Sequence, residues 1–238
     1  SAAIIDFEDV PHLMVAGTTG SGKSTCLQDI ILTIAAKYSP KEAVFYIADD
    51  KNTLSTYSEL PHVVQSAFSR KDINLVMESV IEVLDERKRL LAGAEISEYN
   101  KGHKEKLPHV FVLMDETDTV IKRHANTDST SAGGIRSALE EIAAEGRSLG
   151  IHLIIASQKP IGRNVDTTIR DNIPGRIALQ VTNAQDSRNI LGEKGAEKLT
   201  GKGDAIMKLN GTSTRIQCAM TTPEERKKAV KVIRKMHS

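Results

Sequence analysis

Short runs of apolar residues alternate along this chain with longer segments in which apolar residues recur every three or four positions. The strongest runs carry so few polar residues that they are typical of strands buried on both faces of a sheet. We expect strands at residues 12–16, 43–48, 109–114 and 151–157, and further strands at residues 175–181, 205–209 and 215–219. Regular alternation of strands and helices predicts an α/β fold with a mostly parallel central sheet and helices on both faces.

The segments with helical spacing lie between and after these strands. Helices are predicted at residues 25–37, 72–91, 135–149 and 223–238, the last of them strongly basic. In the helix at 72–91 we expect one face to be buried, formed by Leu75, Val76, Val80, Val83, Leu84 and Leu90. Residues 100–106 are predicted to be a polar linker, and residues 122–134, rich in Ser and Thr, a mobile surface loop.

Charge and aromatic content narrow the classes of partner. The chain of 238 residues has a formal net charge of +1, so it is no polycation. A surface for nucleic acid would have to come from local basic clusters, or from several copies around a common axis. Trp is absent and aromatic residues make up 3%, which argues against a protein that stacks the bases of single strands.

The apolar runs and the cysteines bear on location. No apolar run approaches the length of a membrane span, and no signal peptide is visible. Cys26 and Cys218 form no metal-ligand pattern, and two unclustered thiols are typical of a reducing cytosol. We expect Cys26 to serve helix packing. The predicted location is cytoplasmic, either alone or as the cytoplasmic part of a longer, membrane-tethered protein.

Residues 17–24 read Gly-Thr-Thr-Gly-Ser-Gly-Lys-Ser, which matches the phosphate-loop pattern G-x-x-x-x-G-K-[ST] between a predicted strand and a predicted helix. Such a loop points successive backbone N–H groups and a helix N-terminus at one small volume, where phosphates bind. The residues predicted to bind ATP are Gly17, Thr18, Thr19, Gly20, Ser21, Gly22, Lys23, Ser24 and Thr25. Lys23 is predicted to contact the β- and γ-phosphates, and Ser24 to bind Mg²⁺.

An acidic pair, Asp115 and Glu116, follows the apolar run at 109–114. Beside a phosphate loop, Asp115 would hold Mg²⁺ through water and Glu116 would polarise the attacking water. The other interpretation is an acidic turn after a buried strand. Glu116 and a strand that lies between the two motifs in sequence indicate the RecA-like subclass of P-loop ATPases.

Two further polar residues are candidates for the reaction. Gln158, at the end of the fourth strong strand, would sense the γ-phosphate or orient water, unless it is a plain polar strand end. Arg147 ends the helix before that strand. It is predicted either as an Arg finger supplied to a neighbouring subunit or as a solvated Arg that complements the helix dipole.

Six segments together resemble the FtsK/SpoIIIE family of double-stranded DNA translocases, over roughly residues 10–220. They are Pro-His-Leu-Met-Val-Ala and the phosphate loop (11–24), Leu-Pro-His-Val-Phe-Val-Leu-Met-Asp-Glu (107–116), Gly-Ile-His-Leu-Ile-Ile-Ala-Ser-Gln-Lys-Pro (150–160), Asn-Ile-Pro-Gly-Arg-Ile-Ala (172–178), Asp-Ser-Arg-Asn-Ile-Leu (186–191) and Gly-Lys-Gly-Asp-Ala (201–205). The resemblance implies an ATP- and Mg²⁺-dependent motor that threads duplex DNA through a hexameric ring. It implies that residues 1–222 are the motor domain, and that residues 223–238 close this domain or start a tail.

The resemblance also assigns residues to the ring. Arg147 stands where the family places its Arg finger, and the family's channel loops fall at 159–170 and 182–188. Lys159, Arg170 and Arg188 would therefore contact the DNA backbone without reading its sequence, with Arg163 as an addition. The alternative for each Arg is a salt bridge between subunits. Arg176 would face either the nucleotide or the neighbouring subunit.

The chain departs from the family in three places. Ala184 stands where the second channel loop often has a basic residue, the loop at 122–134 is longer, and no winged-helix appendage is recognisable. These departures favour a translocase of a plasmid, conjugative element or phage, or an excised motor. Two other classes remain open: a protein-export ATPase like those of type VII secretion, and a regulatory or assembly ATPase that translocates nothing.

Overall fold

The computed structural model describes residues 4–124, 134–158, 169 and 171–237. In this part of the chain, one sheet of eight strands forms the centre of the molecule. The strands are β1 (Leu13–Ala16), β2 (Ala43–Asp49), β3 (Val63–Ala67), β4 (His109–Asp115), β5 (Ile151–Ser157), β6 (Gly175–Leu179), β7 (Asp204–Leu209) and β8 (Thr212–Gln217). Their order is β3-β2-β4-β5-β1-β6-β7-β8. The first six in this order run parallel, and β7 is antiparallel to both β6 and β8.

Helices cover both faces of the sheet, which confirms the predicted α/β fold. The helices are α1 (Lys23–Lys37), α2 (Arg70–Leu91), α3 (Ile96–Gly102), α4 (Thr117–His124), α5 (Gly134–Leu149), α6 (Ala184–Leu191) and α7 (Pro223–Met236), with 3₁₀ turns at Ser55–Glu59 and Ala196–Lys198. Helices α1 and α7 pack on one face, and α2 and α5 on the other. Successive residues of each central strand point to opposite faces, so Leu13 and Val15 join one core and Met14 and Ala16 the other.

Two local features differ from the predictions, and a third predicted segment is described only at its two ends. Strand β3 was missed because it lies at the sheet edge, where the half-buried polar residues Gln65 and Ser66 interrupt the apolar run. Residues 96–102 form α3, which takes in the start of the predicted linker at 100–106. The predicted loop at 122–134 begins as the last turn of α4 and ends at the first residue of α5; residues 125–133 lie outside the described part.

The buried face of α2 also differs from the prediction. Leu75 is 50% exposed and Leu90 is 47% exposed, whereas Ile73 and Met77 are buried beside Val76. The inward stripe therefore follows the spacing Ile73, Val76, Met77, Val80 and Leu84, which is the regular one for a helix on a sheet. Within the described residues, no helix is long and apolar enough to cross a membrane.

Candidate nucleotide-binding site

The phosphate loop, residues 17–24, leaves β1 and enters α1 at the edge where the parallel strands end. Gly22 has a φ of 105°, and a Cβ atom there would lie 2.9 Å from the backbone nitrogen of Gly203. At Gly17 a Cβ would lie 2.6 Å from Ser21 Oγ. Glycine is therefore required at both positions, at Gly22 by the left-handed backbone and by the close approach of a neighbouring turn.

Neighbouring strand ends hold this loop by backbone hydrogen bonds. The Gly17 N–H donates to Ser157 O at 3.3 Å, at the end of β5, and the Thr18 N–H donates to Gln180 O at 3.0 Å, just after β6. The Gly203 N–H donates to Ser21 O at 2.8 Å. The 201–205 motif thus packs against the phosphate loop. The N-terminus of α1 opens into the same space, so its free N–H groups favour an anion there.

Lys23 brings the loop together with the acidic pair. Its side chain is only 4% exposed; its ammonium group is ion-paired with the Asp115 carboxylate, and its Nζ lies 3.3 Å from Glu116 Oε1. Asp115 ends β4, which is separated from β1 in the sheet by β5. The two motifs therefore meet across an intervening strand, at the shared carboxyl edge.

The backbone at Glu116 turns sharply out of the sheet. Glu116 has a φ of 53°, an uncommon value for a residue with a side chain, and its carbonyl accepts from the N–H groups of Thr119 (2.8 Å) and Val120 (3.1 Å). Its own N–H donates to Asp115 Oδ1 at 2.9 Å. Strand β4 ends and α4 begins within this turn. The turn keeps the Glu116 carboxylate buried at the site, with 6% of the side chain exposed.

Sequence reasoning missed the turn that follows β2. Asp49 is fully buried and accepts hydrogen bonds from the N–H groups of Lys51 (2.9 Å) and Leu54 (2.7 Å). The Thr53 hydroxyl lies 3.0 Å from a carboxylate oxygen of Asp49 and 3.0 Å from one of Asp115, so it can donate to either. β2 pairs directly with β4, so their ends share one edge. The Asp-Asp-Lys sequence after the strand was the signal that could have identified this turn.

Lys51 extends from this turn to the acidic pair. Its Nζ lies 3.4 Å from Glu116 Oε1, the same oxygen that Lys23 approaches, and its side chain is 44% exposed. Neither ammonium group makes a directional hydrogen bond to that buried oxygen. Glu116 is therefore held by charge between two lysines. Lys23 belongs to the phosphate loop and Lys51 to the end of β2.

Gln158 and Arg147 lie near opposite ends of β5. Gln158 follows β5, and its Oε1 accepts from the Thr19 hydroxyl at 3.1 Å, so it lies beside the phosphate loop. Arg147 is exposed in the last turn of α5, just before β5 begins. The seven residues of β5 separate these ends by about 20 Å. Arg147 therefore cannot reach the phosphate loop of its own chain.

A second arginine, Arg87, supports the turn that carries Arg147. Arg87 is 5% exposed and donates to the carbonyls of Leu149 (2.5 Å), Gly150 (3.2 Å) and Pro108 (2.5 Å). Burial lowers the pKa of Arg87 to about 10. It satisfies carbonyls at the C-terminus of α5, which would otherwise be buried without partners.

Of the predicted DNA-contacting residues, Lys159, Arg163 and Arg170 lie outside the described residues. Arg188 is exposed in the last turn of α6. The predicted loop at 182–188 is thus mostly helix: Asn183 caps α6 by accepting from the Asp186 N–H at 2.9 Å. Arg176 contacts backbone within its own chain, donating to Ile173 O (3.2 Å) and Ile190 O (2.9 Å).

The residues at this site fit MgATP. Backbone N–H groups and Lys23 match phosphate oxygens, and the Ser24 hydroxyl with the Asp115 carboxylate supplies the oxygen ligands that Mg²⁺ prefers. Ser21 Oγ is buried without a hydrogen-bond partner among the described residues, inside the phosphate loop. The fold and the site together define a RecA-like P-loop ATPase.

Comparison with known proteins identifies the family. Residues 1–206 match the sequence model of the FtsK/SpoIIIE family, and the chain belongs to that family. It is 32% identical over 219 residues to the DNA translocase SftA of Bacillus subtilis, covering 88% of this chain and 22% of SftA. It is 34% identical to the DNA translocase FtsK of Staphylococcus epidermidis over 93% of this chain and 29% of that protein. The chain therefore spans less than a third of these relatives.

Solved structures share the architecture. The conjugation coupling protein TcpA of pCW3, in a monomer form with ATPγS, superimposes with a TM-score of 0.82 at 25% identity, covering 96% of this chain and 66% of TcpA. ATPases 2 and 3 of EssC from Geobacillus thermodenitrificans superimpose with a TM-score of 0.81 at 21% identity, covering 95% of this chain and 44% of that one. The EssC likeness shows the fold alone.

Proposed function

We propose that this chain is the motor domain of a double-stranded DNA translocase and couples ATP hydrolysis to movement of the duplex. The observation that carries the proposal is the match, over most of the chain, to proteins named DNA translocases, together with a site that keeps Lys23, Asp115 and Glu116 in contact. TcpA, a conjugation coupling protein, supports a role in DNA transfer between cells. Access to ATP and DNA requires a cytoplasmic location.

The proposed hydrolysis follows from the geometry. The phosphate-loop N–H groups and Lys23 bind the β- and γ-phosphates, and Mg²⁺, when bound by Ser24 and through Asp115, neutralises charge that develops on the phosphates. Glu116 orients the attacking water and accepts its proton. Gln158, beside Thr19, is placed to sense the γ-phosphate. The products are ADP and phosphate.

Arg147 supports assembly into a ring. It is exposed on the edge about 20 Å from its own phosphate loop, so an Arg finger at this position can act only on a neighbour's nucleotide. A closed hexameric ring places every Arg147 against the next site. Arg188, with Lys159, Arg163 and Arg170, would then line the channel and contact the DNA backbone, a sequence-independent and salt-sensitive mode of binding.

The proposal is tested by ATP turnover with and without duplex DNA across a series of salt concentrations. We expect duplex DNA of unrelated sequences to stimulate turnover equally, and the stimulation to fall steeply as salt rises. Turnover indifferent to duplex DNA at low salt would contradict a DNA motor. Turnover stimulated instead by a secreted helical protein would indicate the export class.

A further inference from the structure

The only two cysteines of the chain are separated by 192 positions in sequence but meet in the fold. Cys26 lies in the first turn of α1 and is 5% exposed. Cys218 is half-buried and directly follows β8. Their Sγ atoms are 3.4 Å apart, and the Cys218 thiol donates to the Cys26 sulfur. The sequence expectation of two unclustered thiols, with Cys26 serving packing alone, was therefore incomplete.

Backbone hydrogen bonds connect both cysteines to the phosphate loop, Cys26 directly and Cys218 through Gly203. The Cys26 N–H donates to Gly22 O at 2.9 Å, and the Cys218 N–H donates to Gly203 O at 2.8 Å. Gly203 in turn donates to Ser21 O at 2.8 Å. The thiol pair thus joins the first turn of α1 to the antiparallel edge of the sheet. Hydrolysis as proposed above uses neither sulfur.

We propose that Cys26 and Cys218 are a site of oxidative modification that closes to a reversible intramolecular disulfide. A disulfide needs the sulfurs about 1.4 Å closer than they lie. The bridge would covalently link α1 to the end of β8. It goes beyond the proposed motor function and does not depend on it.

The oxidant is a hydroperoxide, and the half-buried Cys218 reacts first because it is the more accessible sulfur. When Cys218 loses its proton, the Cys26 thiol can donate a hydrogen bond to the resulting thiolate. This bond lowers the pKa of the Cys218 thiol and favours the reactive thiolate. Attack of the Cys218 thiolate on hydrogen peroxide breaks the O–O bond and forms Cys218 sulfenic acid. The departing hydroxide takes up the proton that the thiol released and leaves as water. The Cys26 sulfur then attacks Cys218, the S–O bond breaks, and a second water leaves with the Cys26 proton. Two electrons from the thiols thus reduce one peroxide. A dithiol later reduces the disulfide back to two thiols by exchange and is itself oxidised to a disulfide.

Counting alkylatable thiols tests the modification. The reduced chain is treated with hydrogen peroxide, denatured and alkylated, and its thiols are counted by mass spectrometry. We expect two before oxidation, none after it and two again after dithiothreitol, with a peptide that links Cys26 to Cys218 within one chain. Two thiols surviving peroxide, a stable sulfinic acid, or a bond between two chains would overturn the proposal.

Thermal unfolding is the second readout. A bridge across 192 positions restricts the unfolded chain strongly, so we expect oxidation to raise Tm by roughly 5 to 15 °C. Cys218→Ser is the matched control, because it keeps Met220, which is 86% exposed and also reacts with peroxide. Its Tm should not rise on oxidation. An equal rise in Cys218→Ser, or no rise in the wild type, would contradict the bridge.

ATP binding shows whether the bridge forms without moving the first turn of α1, which also carries Lys23. We expect the Kd of the oxidised chain for MgATP to stay within about twofold of the reduced chain. A much larger loss of affinity would show that the sulfurs are not poised to join where the structure places them.

Discussion

Glu116 is the residue on which the proposed chemistry depends most. Its backbone occupies a left-handed conformation at the end of β4, and its buried carboxylate lies between the ammonium groups of Lys23 and Lys51. When Lys23 binds phosphate, Lys51 is the cation that stays with the carboxylate. Mutating Glu116 and Lys51 in turn can therefore separate the role of the carboxylate in the reaction from the role of the lysine in orienting it.

Glu116→Gln removes the proton acceptor and preserves the shape of the side chain. We expect MgATP to bind as in the wild type and turnover to fall by about 10²- to 10⁴-fold, measured by equilibrium binding and single-turnover hydrolysis. Glu98→Gln, on the exposed side of α3, is the control and should leave turnover unchanged. Full turnover in Glu116→Gln would show that water is activated by another group.

Lys51→Met removes the charge beside Glu116 and leaves the phosphate loop intact. We expect kcat to fall about 3- to 30-fold while KM for ATP changes little, since a carboxylate that is less well oriented slows the chemical step alone. Lys51→Arg should restore part of kcat, and Lys101→Met, on exposed α3, should have no effect. In the Glu116→Gln background, Lys51→Met should cost nothing more. A rise in KM with kcat unchanged would instead indicate a role in binding ATP.

The two ends of the parallel strands carry different kinds of side chain. At the carboxyl ends of β1, β4 and β5 lie the phosphate loop, the acidic pair and Gln158, whereas the opposite ends carry three histidines. His152 Nε2 lies 2.8 Å from His109 Nδ1, its Nδ1 lies 2.9 Å from Pro11 O, and the Leu153 N–H donates to His12 Nδ1 at 3.0 Å. Burial lowers the pKa of His152 to about 3 and that of His12 to about 4.

These histidines predict a loss of stability in acid. Their pKa values lie below the ordinary 6.5, so the unfolded chain binds protons that the folded chain excludes. The free energy of unfolding should therefore fall as pH drops below about 6.5, by up to about 1.4 kcal/mol per pH unit for each histidine, until the folded values are reached. Urea unfolding between pH 7 and pH 4 measures this slope. It should be shallower in His152→Gln; equal slopes would contradict the prediction.

Arg147 and the phosphate loop of the same chain lie at opposite ends of the parallel strands. If Arg147 is an Arg finger, it can therefore complete only the site of a neighbouring chain. Arg87 holds the turn that displays Arg147 by capping the end of α5. The role of Arg147 in the proposed ring can therefore be tested by complementation between two inactive variants.

Arg147→Ala and Lys23→Ala should each have little turnover alone. In randomly mixed rings, a site regains function when its own subunit keeps Lys23 and its neighbour keeps Arg147, so about one quarter of wild-type turnover should return. The recovered turnover is measured as DNA-stimulated ATP hydrolysis with the two variants mixed at equal subunit ratios. If mixtures that form rings recover no turnover, Arg147 is not an Arg finger. High turnover of Arg147→Ala alone would indicate that Arg147 is a solvated residue at the end of its helix.

Features that depend on local pattern could be predicted from the sequence. Buried central strands are continuous apolar runs, and a phosphate loop needs glycines, a lysine and a serine at fixed spacing, so β1, β2, β4, β5 and the loop were all predicted. The edge strand β3 was missed because its half-buried polar residues, Gln65 and Ser66, break the apolar pattern. The inward face of α2 was misassigned because Leu75 and Leu90 are apolar but face solvent.

Contacts between residues distant in sequence could not be predicted and are known from the fold. Strand order brings β2 beside β4, and therefore Lys51 and Thr53 to the acidic pair, although nothing in the spacing of these residues shows it. The antiparallel return of β7 and β8 carries Cys218 to Cys26, and the length of β5 keeps Arg147 away from its own phosphate loop. Local pattern follows from the period of a helix or strand, whereas such contacts follow from the order and direction in which strands pair.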